Sequence, residues 1–430
     1  ELVVDSSLGT PNLTITQDNP YADGGNIIVG GISGGTGELT ISNGGTVTGG
    51  ASTAGLSAGS SGTITVDGIG SVLNTVSMTV GHAGEGMLTI TNGGVVNSTA
   101  GSTIGLLAGS KGVVDVSGGS QWNLSGQKLI VGSAGTGTLN ISGGSSVITG
   151  NSGTSVGAGS KATIEGTGSS LSYGNGGLLI DGDLAITDGG QVIGLNNLSP
   201  TNVSSGGTLM VDGIDSKLTS GNFTVNDGGL MAVSNGGNVV THGSSGDTIN
   251  GTVTVDGAGS VWTDSGNFFM GTITGTTPTI AITNGGVVNL PSGGQMRAND
   301  ATSRTLITID GTGSSLVTSG TFYMEGKNPA DPTAIQVTNG GALSTYTINI
   351  GRLATDIASV TVEGNGSTWL TRFQTNIGFQ GTGAVTLTDG AQMTSRSVIS
   401  VGAQEGSTGT FDVSGGARVN AINASGVLQG

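Results

Sequence analysis

A repeated motif of about 25 residues runs through the chain and constrains its fold more than any other feature. In one form, alternating apolar residues lead into Asn-Gly-Gly, as at 39–47 (LTISNGGTV), 88–96 (LTITNGGVV) and 280–288 (IAITNGGVV). In a sister form, they lead into Asp-Gly, as at 64–73 (ITVDGIGSVL) and 253–262 (VTVDGAGSVW). The first glycine of this turn occurs 16 times, at spacings of 21 to 29 residues. A period of this length is typical of a repeat protein.

Within each repeat, the alternation of apolar and polar residues indicates strands with one buried face. Asn-Gly and Asp-Gly pairs then end a strand, and a further apolar pair such as Met78 and Val80 often follows. One coil cannot bury its inner face alone, so the coils must stack, and parallel crossovers are right-handed. The sequence therefore predicts an all-β fold, a right-handed parallel β-helix (solenoid). We expect about 16–17 coils of roughly 25 residues, with three short strands per coil, in a single domain over residues 1–430.

Composition excludes several other classes of protein. The 430 residues include 87 Gly but only 7 Pro, and Gly does not fall at every third position, which excludes collagen. Charged residues make up only 9%, which argues against disorder. The absence of Cys excludes disulfides. No run of 18 apolar residues is present, so we expect no membrane-spanning helix, and the first residues lack the pattern of a signal peptide.

The tryptophans and histidines of this chain are explained by their places in the repeat. Trp122, Trp262 and Trp369 occupy the position where other coils carry leucine, so we expect them to fill the core rather than to bind sugar. His82 and His242 lie far apart without nearby metal-ligand partners, and we expect both in surface loops. No catalytic motif is recognisable, and the chain is not expected to be an enzyme.

Three acidic residues share one turn position on consecutive coils: Glu165, Asp188 and Asp212. The favoured interpretation is that they are solvated turn residues, because Asp and Asn side chains can bond the following backbone. Two alternatives remain open, a Ca²⁺ site and the carboxylate pair of a glycosidase. No other cofactor is expected.

Charge is distributed unevenly along the chain. Residues 1–290 form a regular acidic region with 18 acidic and 4 basic residues, a net charge of −14. Residues 291–430 carry 9 acidic and 7 basic residues, a net charge of −2, together with longer connections. The total of −16 makes nucleic acid a poor partner. The candidate binding residues are basic side chains that form a winding stripe in the second region: Arg297, Arg304, Lys327, Arg352, Arg372 and Arg396.

The segments GELTISNGGTVTGG, GMLTITNGGVVNS and GTLNISGGSSVITG resemble the passenger repeats of AIDA-type autotransporter adhesins of Gram-negative bacteria. The resemblance covers nearly the whole chain. It implies a right-handed β-helix at the cell surface, held to the outer membrane by a C-terminal barrel that is absent from this chain. It also implies adhesion, autoaggregation and biofilm formation. The implied partners are copies on neighbouring cells, host surface glycans or matrix proteins.

Two other functions remain open at this stage. One is a β-helix polysaccharide hydrolase or lyase, which needs charged side chains gathered on one strand face. The other is a passive surface spacer. The first is disfavoured because most charges fall in turns and the inward strand positions are aliphatic.

Overall fold

The computed structural model describes residues 1–17, 20–243 and 245–422. The fold is a right-handed parallel β-solenoid of about 17 turns, with coils about 25 residues apart, three strands per coil and no helix in the described ranges. We name the strand positions by their place in the coil. In one coil, Thr36–Ile41 lies in column A, Thr46–Thr48 in column B and Ser52–Ala54 in column C. The predicted fold class is confirmed.

Column A strands precede the Asn-Gly or Asp-Gly turn. They are Asn12–Ile15, Thr36–Ile41, Ser61–Asp67, Glu85–Thr91, Lys111–Val116, Thr136–Ile141, Lys161–Glu165, Asp183–Thr187, Thr208–Asp212, Leu230–Ser234, Thr252–Asp256, Thr279–Thr283, Leu306–Asp310, Thr333–Thr338, Ile357–Glu363, Thr382–Thr388 and Thr408–Val413.

Column B strands follow the turn. They are Tyr21–Ala22, Thr46–Thr48, Val72–Thr75, Val95–Ser98, Gln121–Asn123, Ser146–Ile148, Ser170–Tyr173, Gln191–Gly194, Lys217–Ser220, Asn238–Thr241, Val261–Asp264, Val287–Leu290, Ser315–Thr318, Gln392–Ser395 and Arg418–Ala421.

Column C strands close the coil. They are Leu2–Val4, Ile27–Val29, Ser52–Ala54, Met78–Val80, Ser102–Ile104, Leu129–Val131, Thr154–Val156, Leu178–Ile180, Thr201–Val203, Phe223–Val225, Asp247–Ile249, Phe268–Met270, Gly294–Ala298, Thr321–Gly326 and Val398–Val401. Two long strands, Ala342–Ile350 and Thr368–Ile377, run through columns B and C.

The register of the strands follows from the alternation in the sequence. Leu39 pairs in parallel with Ile64, and Ile41 pairs with Val66, so inward residues stack on inward residues of the next coil. All four side chains are fully buried. A slip of one residue would turn this whole apolar set toward solvent, so burial of one face specifies the register.

Turns and corners explain the high glycine content. The turn after Thr36–Ile41 places Asn43 at φ 51° and Gly44 at φ 74°, and this left-handed pair is the conformation that Asn-Gly favours. At the corner between columns C and A, Gly55 has φ 70°. A Cβ atom on Gly55 would lie 2.1 Å from the carbonyl oxygen of Glu85 on the next coil. Only glycine allows the backbones of neighbouring coils to approach this closely.

The chain divides into two compact units. The first comprises Glu1–Asn202, Gly206–Met210 and Asp215–Ser220, and the second comprises Val203–Ser205, Val211–Ile214 and the chain from Gly221 onward. The division at residue 290, expected from charge, stays a prediction.

Both units are filled by aliphatic side chains and contain the predicted tryptophans. Trp122 is buried in the first unit, and Trp262 and Trp369 are buried in the second. The Nε1 of Trp122 donates to Ser98 Oγ at 3.1 Å, and the Nε1 of Trp369 donates to Thr345 Oγ1 at 3.1 Å. These hydroxyls lie on the preceding coil and satisfy the indole N–H groups, which buried tryptophan requires. The prediction that these side chains are core residues is confirmed.

Candidate functional site

The acidic turn residues predicted as a possible cation site lie in turns, at the ends of column A strands. Glu165 and Asp188 are exposed, and Asp188 has a left-handed φ of 52°. Asp212 Oδ1 accepts hydrogen bonds from Ser234 Oγ and Asn235 Nδ2, both at 2.6 Å. In the described part of the chain, no group of three or more His, Cys, Asp or Glu side chains could hold a metal ion. Glu165, Asp188 and Asp212 are therefore not gathered into a set of Ca²⁺ ligands.

Turn carboxylates in the second unit instead link neighbouring coils. Asp256 Oδ1 accepts from Asn284 Nδ2 at 2.7 Å, and Asp310 Oδ1 accepts from Asn339 Nδ2 at 2.6 Å. The alternation of Asp with Asn thus provides charge-assisted hydrogen bonds between coils as well as avoiding repulsion between acids.

Two of the six predicted basic residues converge on one glutamate in the second unit. Arg352 Nη1 lies 2.6 Å from Glu325 Oε1, and Arg297 Nε lies 3.6 Å from Glu325 Oε2. Gln295 donates to Glu325 and accepts from Arg297 Nη2. The side chain of Glu325 is only 12% exposed, whereas the two arginines are 34–35% exposed. Both guanidinium groups are therefore fixed in place and still accessible.

Each of these arginines also lies against an aromatic ring. The Cζ of Arg297 is 5.4 Å from the ring centre of Phe269, and the Cζ of Arg352 is 4.2 Å from that of Tyr323. Both distances are within the range of cation–π attraction. Phe269 and Tyr323 are half-buried side chains on outward positions of column C.

The same two rings border an open cavity of about 130 Å³. Its wall combines aromatic, amide and hydroxyl groups with glycine backbone. The lining residues are Asn267, Phe268, Phe269, Ser292, Gly293, Gly294, Gln295, Thr321 and Tyr323. A wall with a few polar groups beside aromatic surface is typical of ligand sites.

The remaining predicted basic residues lie elsewhere in the second unit. Arg304 pairs with Asp331 at 2.9 Å between longer connections. Lys327, Arg372 and Arg396 are exposed, and within the described ranges none of them has an acidic oxygen within 4.0 Å. The structure thus brings Arg297 and Arg352 together around Glu325 and leaves Lys327, Arg372 and Arg396 open to solvent.

An exposed aromatic pair lies beside Arg372. The rings of Tyr346 and Phe373 stack with centres 5.4 Å apart and planes at 9°. The two residues are 42% and 49% exposed. They lie on consecutive coils, where column B passes into column C. Arg372 and Arg396 are on the same side of these coils, because their neighbours Thr371 and Ser395 are paired in register. We call Tyr346, Phe373, Arg372 and Arg396 the aromatic corner.

Within the described ranges, the interior of the second unit contains acidic side chains that the sequence analysis did not identify, among them Asp247, Asp264 and Asp356. Asp247 and Asp264 are fully buried. Asp247 Oδ1 accepts from the Phe223 N–H at 2.8 Å, and Asp264 Oδ1 accepts from the Gly266 N–H at 2.7 Å. Burial raises the pKa of Asp247 to about 8, and the charge of Asp264 adds to this shift. Burial also raises the pKa of Asp264, and the hydrogen bond from the Gly266 N–H is the largest of the effects that oppose this shift.

The two histidines have local structural contacts. His82 Nδ1 lies 3.0 Å from the Leu56 carbonyl oxygen, and His242 Nδ1 lies 2.8 Å from Ser265 Oγ. Both residues are partly exposed and follow the ends of strands, as predicted.

Comparison with known proteins gives partial matches. No family model matches the chain. A segment of 121 residues is 36% identical to a protein of Escherichia coli (strain K12) named as an uncharacterized lipoprotein, YdeK. This match covers 27% of the present chain and 9% of that protein's length, so the chain spans a small fraction of its relative.

A solved structure, the TibC-catalyzed hyper-glycosylated fragment of TibA, aligns with 94% of this chain and 100% of the fragment. The identity is 18% and the TM-score is 0.28. In the present chain, the described residues include no helix that is both long enough and apolar enough to cross a membrane.

Proposed function

We propose that this chain is the adhesive part of a bacterial surface protein and that it holds cells together by binding copies of itself. The observation that carries the proposal is the aromatic corner. It presents two stacked, half-exposed rings next to two exposed arginines without an ion-pair partner in the described ranges. Contiguous exposed apolar surface with a polar border is a recognised mark of an interaction site. The lipoprotein name of the partial relative supports a location at the cell envelope.

Charge favours residues 291–430 as the place of contact. Residues 1–290 carry a net charge of −14, so two copies that meet through this region repel each other. Residues 291–430 carry −2 and include the whole aromatic corner. Each exposed ion pair between two copies would contribute only about 0–1 kcal/mol to the free energy of binding. Many copies on two cell surfaces add their contacts by avidity, which allows autoaggregation and biofilm formation from weak bonds.

Reversing charge at the aromatic corner tests this proposal. We expect cells displaying Arg372→Glu together with Arg396→Glu to clump much more slowly than cells displaying the unaltered chain. A loss of about 1 kcal/mol per contact weakens each contact about fivefold, and avidity multiplies the effect. Arg352 is left unchanged because it is paired with Glu325. The measurement is the settling rate of cell suspensions with equal surface display.

The matched control is a double charge reversal in the first unit, Lys111→Glu with Lys161→Glu, where both side chains are exposed. This variant should clump at nearly the unaltered rate. Equal slowing in both variants would show that net charge alone governs clumping. Unchanged clumping in both would remove the aromatic corner as a contact and favour a passive spacer.

The competing function is hydrolysis or elimination of a polysaccharide. We propose that the chain has no such activity, because Glu165 and Asp188 are solvated turn residues and Asp212 is bonded to the next coil. Incubation with acidic and neutral polysaccharides should release no new reducing ends and no unsaturated products. Turnover that disappears on Asp188→Asn or Asp212→Asn would overturn this expectation.

A further inference from the structure

We infer that the outer face of column C between Phe269 and Arg352 binds a carboxylate-bearing saccharide. The inference deepens the proposed adhesive function, because it names a ligand class for a surface distinct from the aromatic corner. We call Phe269, Gln295, Tyr323, Arg297 and Arg352 the column C strip.

Strand register on three consecutive coils builds most of the strip, and Arg352 joins it from the next coil, just after the strand Ala342–Ile350. Phe269 pairs with Gln295, Gln295 pairs with Tyr323, and Arg297 pairs with Glu325. Neighbouring strands lie about 4.8 Å apart, so the two aromatic residues are separated by about 10 Å along the stack. Gln295 lies between them and forms the floor. This arrangement gives two apolar walls around a polar base.

Glycine backbone forms part of the wall of this cavity. Gly294 takes the inward position that Phe268 and Phe322 occupy on the adjacent coils. These two rings stack across it with centres 6.4 Å apart, and a Cβ atom on Gly294 would lie 2.6 Å from Phe268 Cδ1. The neighbouring Gly293 has a left-handed φ of 83°. Backbone without side chains therefore lines one side of the cavity.

The size of the cavity limits what enters it. The open cavity, of about 130 Å³, is large enough to admit several water molecules. This is room for one substituent of a sugar, such as a carboxylate or an acetamido group. The amide of Asn267 and the hydroxyl of Thr321 can donate to such a group, whereas Ser292 Oγ already donates to the Ser265 carbonyl oxygen at 3.0 Å and is left as an acceptor. The rest of the saccharide would lie over the rings of Phe269 and Tyr323.

The charges around the strip favour an anion. Arg297 and Arg352 share one acidic partner, Glu325, and exposed Lys327 follows it two residues later. The nearby buried carboxyl of Asp356 has a pKa raised to about 6, chiefly by burial, and it accepts from the Leu353 N–H at 2.7 Å. Even with Asp356 ionised, three positive groups face two negative ones. The guanidinium groups are planar and held against rings, which suits paired hydrogen bonds to a carboxylate.

The test uses the whole purified chain and hyaluronan oligosaccharides, which carry a carboxylate on alternate sugars. Chitin oligosaccharides of similar length provide a neutral ligand with acetamido groups. We expect the unaltered chain to bind hyaluronan more tightly than chitin oligosaccharide by calorimetry. Arg352→Gln and Arg297→Gln should each weaken hyaluronan binding roughly tenfold, since each removes a charge-assisted contact. Tyr323→Leu keeps the apolar volume but loses the ring, and it should weaken binding by roughly fivefold to tenfold.

Arg396→Gln is the matched control, because it removes one positive charge from the aromatic corner and should leave hyaluronan binding unchanged. Equal loss in Arg396→Gln, equal binding of the neutral ligand, or no hyaluronan binding by a folded chain would each overturn the inference. Binding of a polyglutamate peptide that matches hyaluronan and falls with Arg352→Gln would overturn the assignment to a saccharide. Thermal melting of each variant separates lost binding from lost folding. Cell clumping that depends on Arg372 and Arg396 would survive all these outcomes, so the two proposals can fail separately.

Discussion

Ile90→Asp is expected to destabilise the first unit by more than about 5 kcal/mol. Ile90 is fully buried in column A and pairs with Val66 and Val116 on the adjacent coils. Truncating a buried Ile already costs about 2–5 kcal/mol. A carboxylate placed among aliphatic side chains adds a further cost, because no hydrogen-bond donor is available to it.

Thr89→Asp provides the matched control for Ile90→Asp. Thr89 is the preceding residue of the same strand and points outward. Its replacement adds the same charge to the same coil, but the charge remains in water. Asp115 of the next coil is paired with this position and repels the new carboxylate, so we expect a loss of about 1 kcal/mol. Urea unfolding followed by circular dichroism measures both variants. Similar losses of unfolding free energy in Ile90→Asp and Thr89→Asp would contradict the assignment of Ile90 to a dry interior.

The free energy of unfolding is expected to fall as pH rises from about 4 to about 8. Asp247 has a folded pKa of about 8, raised by burial and by the charge of Asp264, against an ordinary value of 3.8. The folded chain therefore holds a proton on Asp247 that the unfolded chain releases in this range. The stabilisation from this proton is fully present when the pH is below the ordinary pKa of Asp247, and it is lost as the pH rises through the pKa of the folded chain. The slope from this one group is at most about 1.4 kcal/mol per pH unit. The raised pKa of Asp264 acts in the same direction.

Asp247→Asn should remove most of this slope and raise stability at pH 8. The amide oxygen can still accept from the Phe223 N–H, and the amide group carries no charge to be desolvated. Asp115→Asn, an outward change in column A, serves as the control and should keep the full slope. Chemical unfolding at several pH values from 4 to 8 gives the comparison. Asp264 and Asp356, whose pKa values burial also raises, still contribute a slope in this variant, and the pKa of Asp356 is about 6. A slope between about pH 6 and pH 8 that is unchanged in Asp247→Asn would contradict a protonated, buried Asp247.

Much of the fold can be predicted from the repeat. Its period sets the length of every coil, and the alternation of apolar and polar residues sets which side chains of every strand point inward. The tryptophans were predictable in the same way, since Trp122 takes the position that leucine takes in other coils and pairs in register with buried Val96 and Val147. The buried acids were not predictable, because the repeat assigns Asp and Glu to its turn position and contains no pattern for an acid at an inward strand position. A signal was present in the register: Asp264 is paired with Thr241, a small buried polar residue at the end of column B.

The meeting of Arg297 and Arg352 at Glu325 could not be read from distances along the sequence. Connections 271–278, 299–305 and 327–332 differ in length, and the pairing of Ala342–Ile350 with Thr368–Ile377 is irregular between Thr345 and Thr347. The offset of a residue from its turn glycine therefore does not measure its place around the coil. Strand register shows where a residue lies around the coil, and it places Arg297 beside Glu325.

The hydrogen bonds between turn side chains of the second unit have a consequence for how its gene can change length. Asp256 is bonded to Asn284 of the next coil, and Asp310 is bonded to Asn339. Loss or duplication of one coil would put two acids or two amides side by side, which breaks this pairing. Loss or duplication of two coils would restore it. Recombination among related genes is therefore expected to leave insertions and deletions of about 50 residues in this unit, twice the structural repeat.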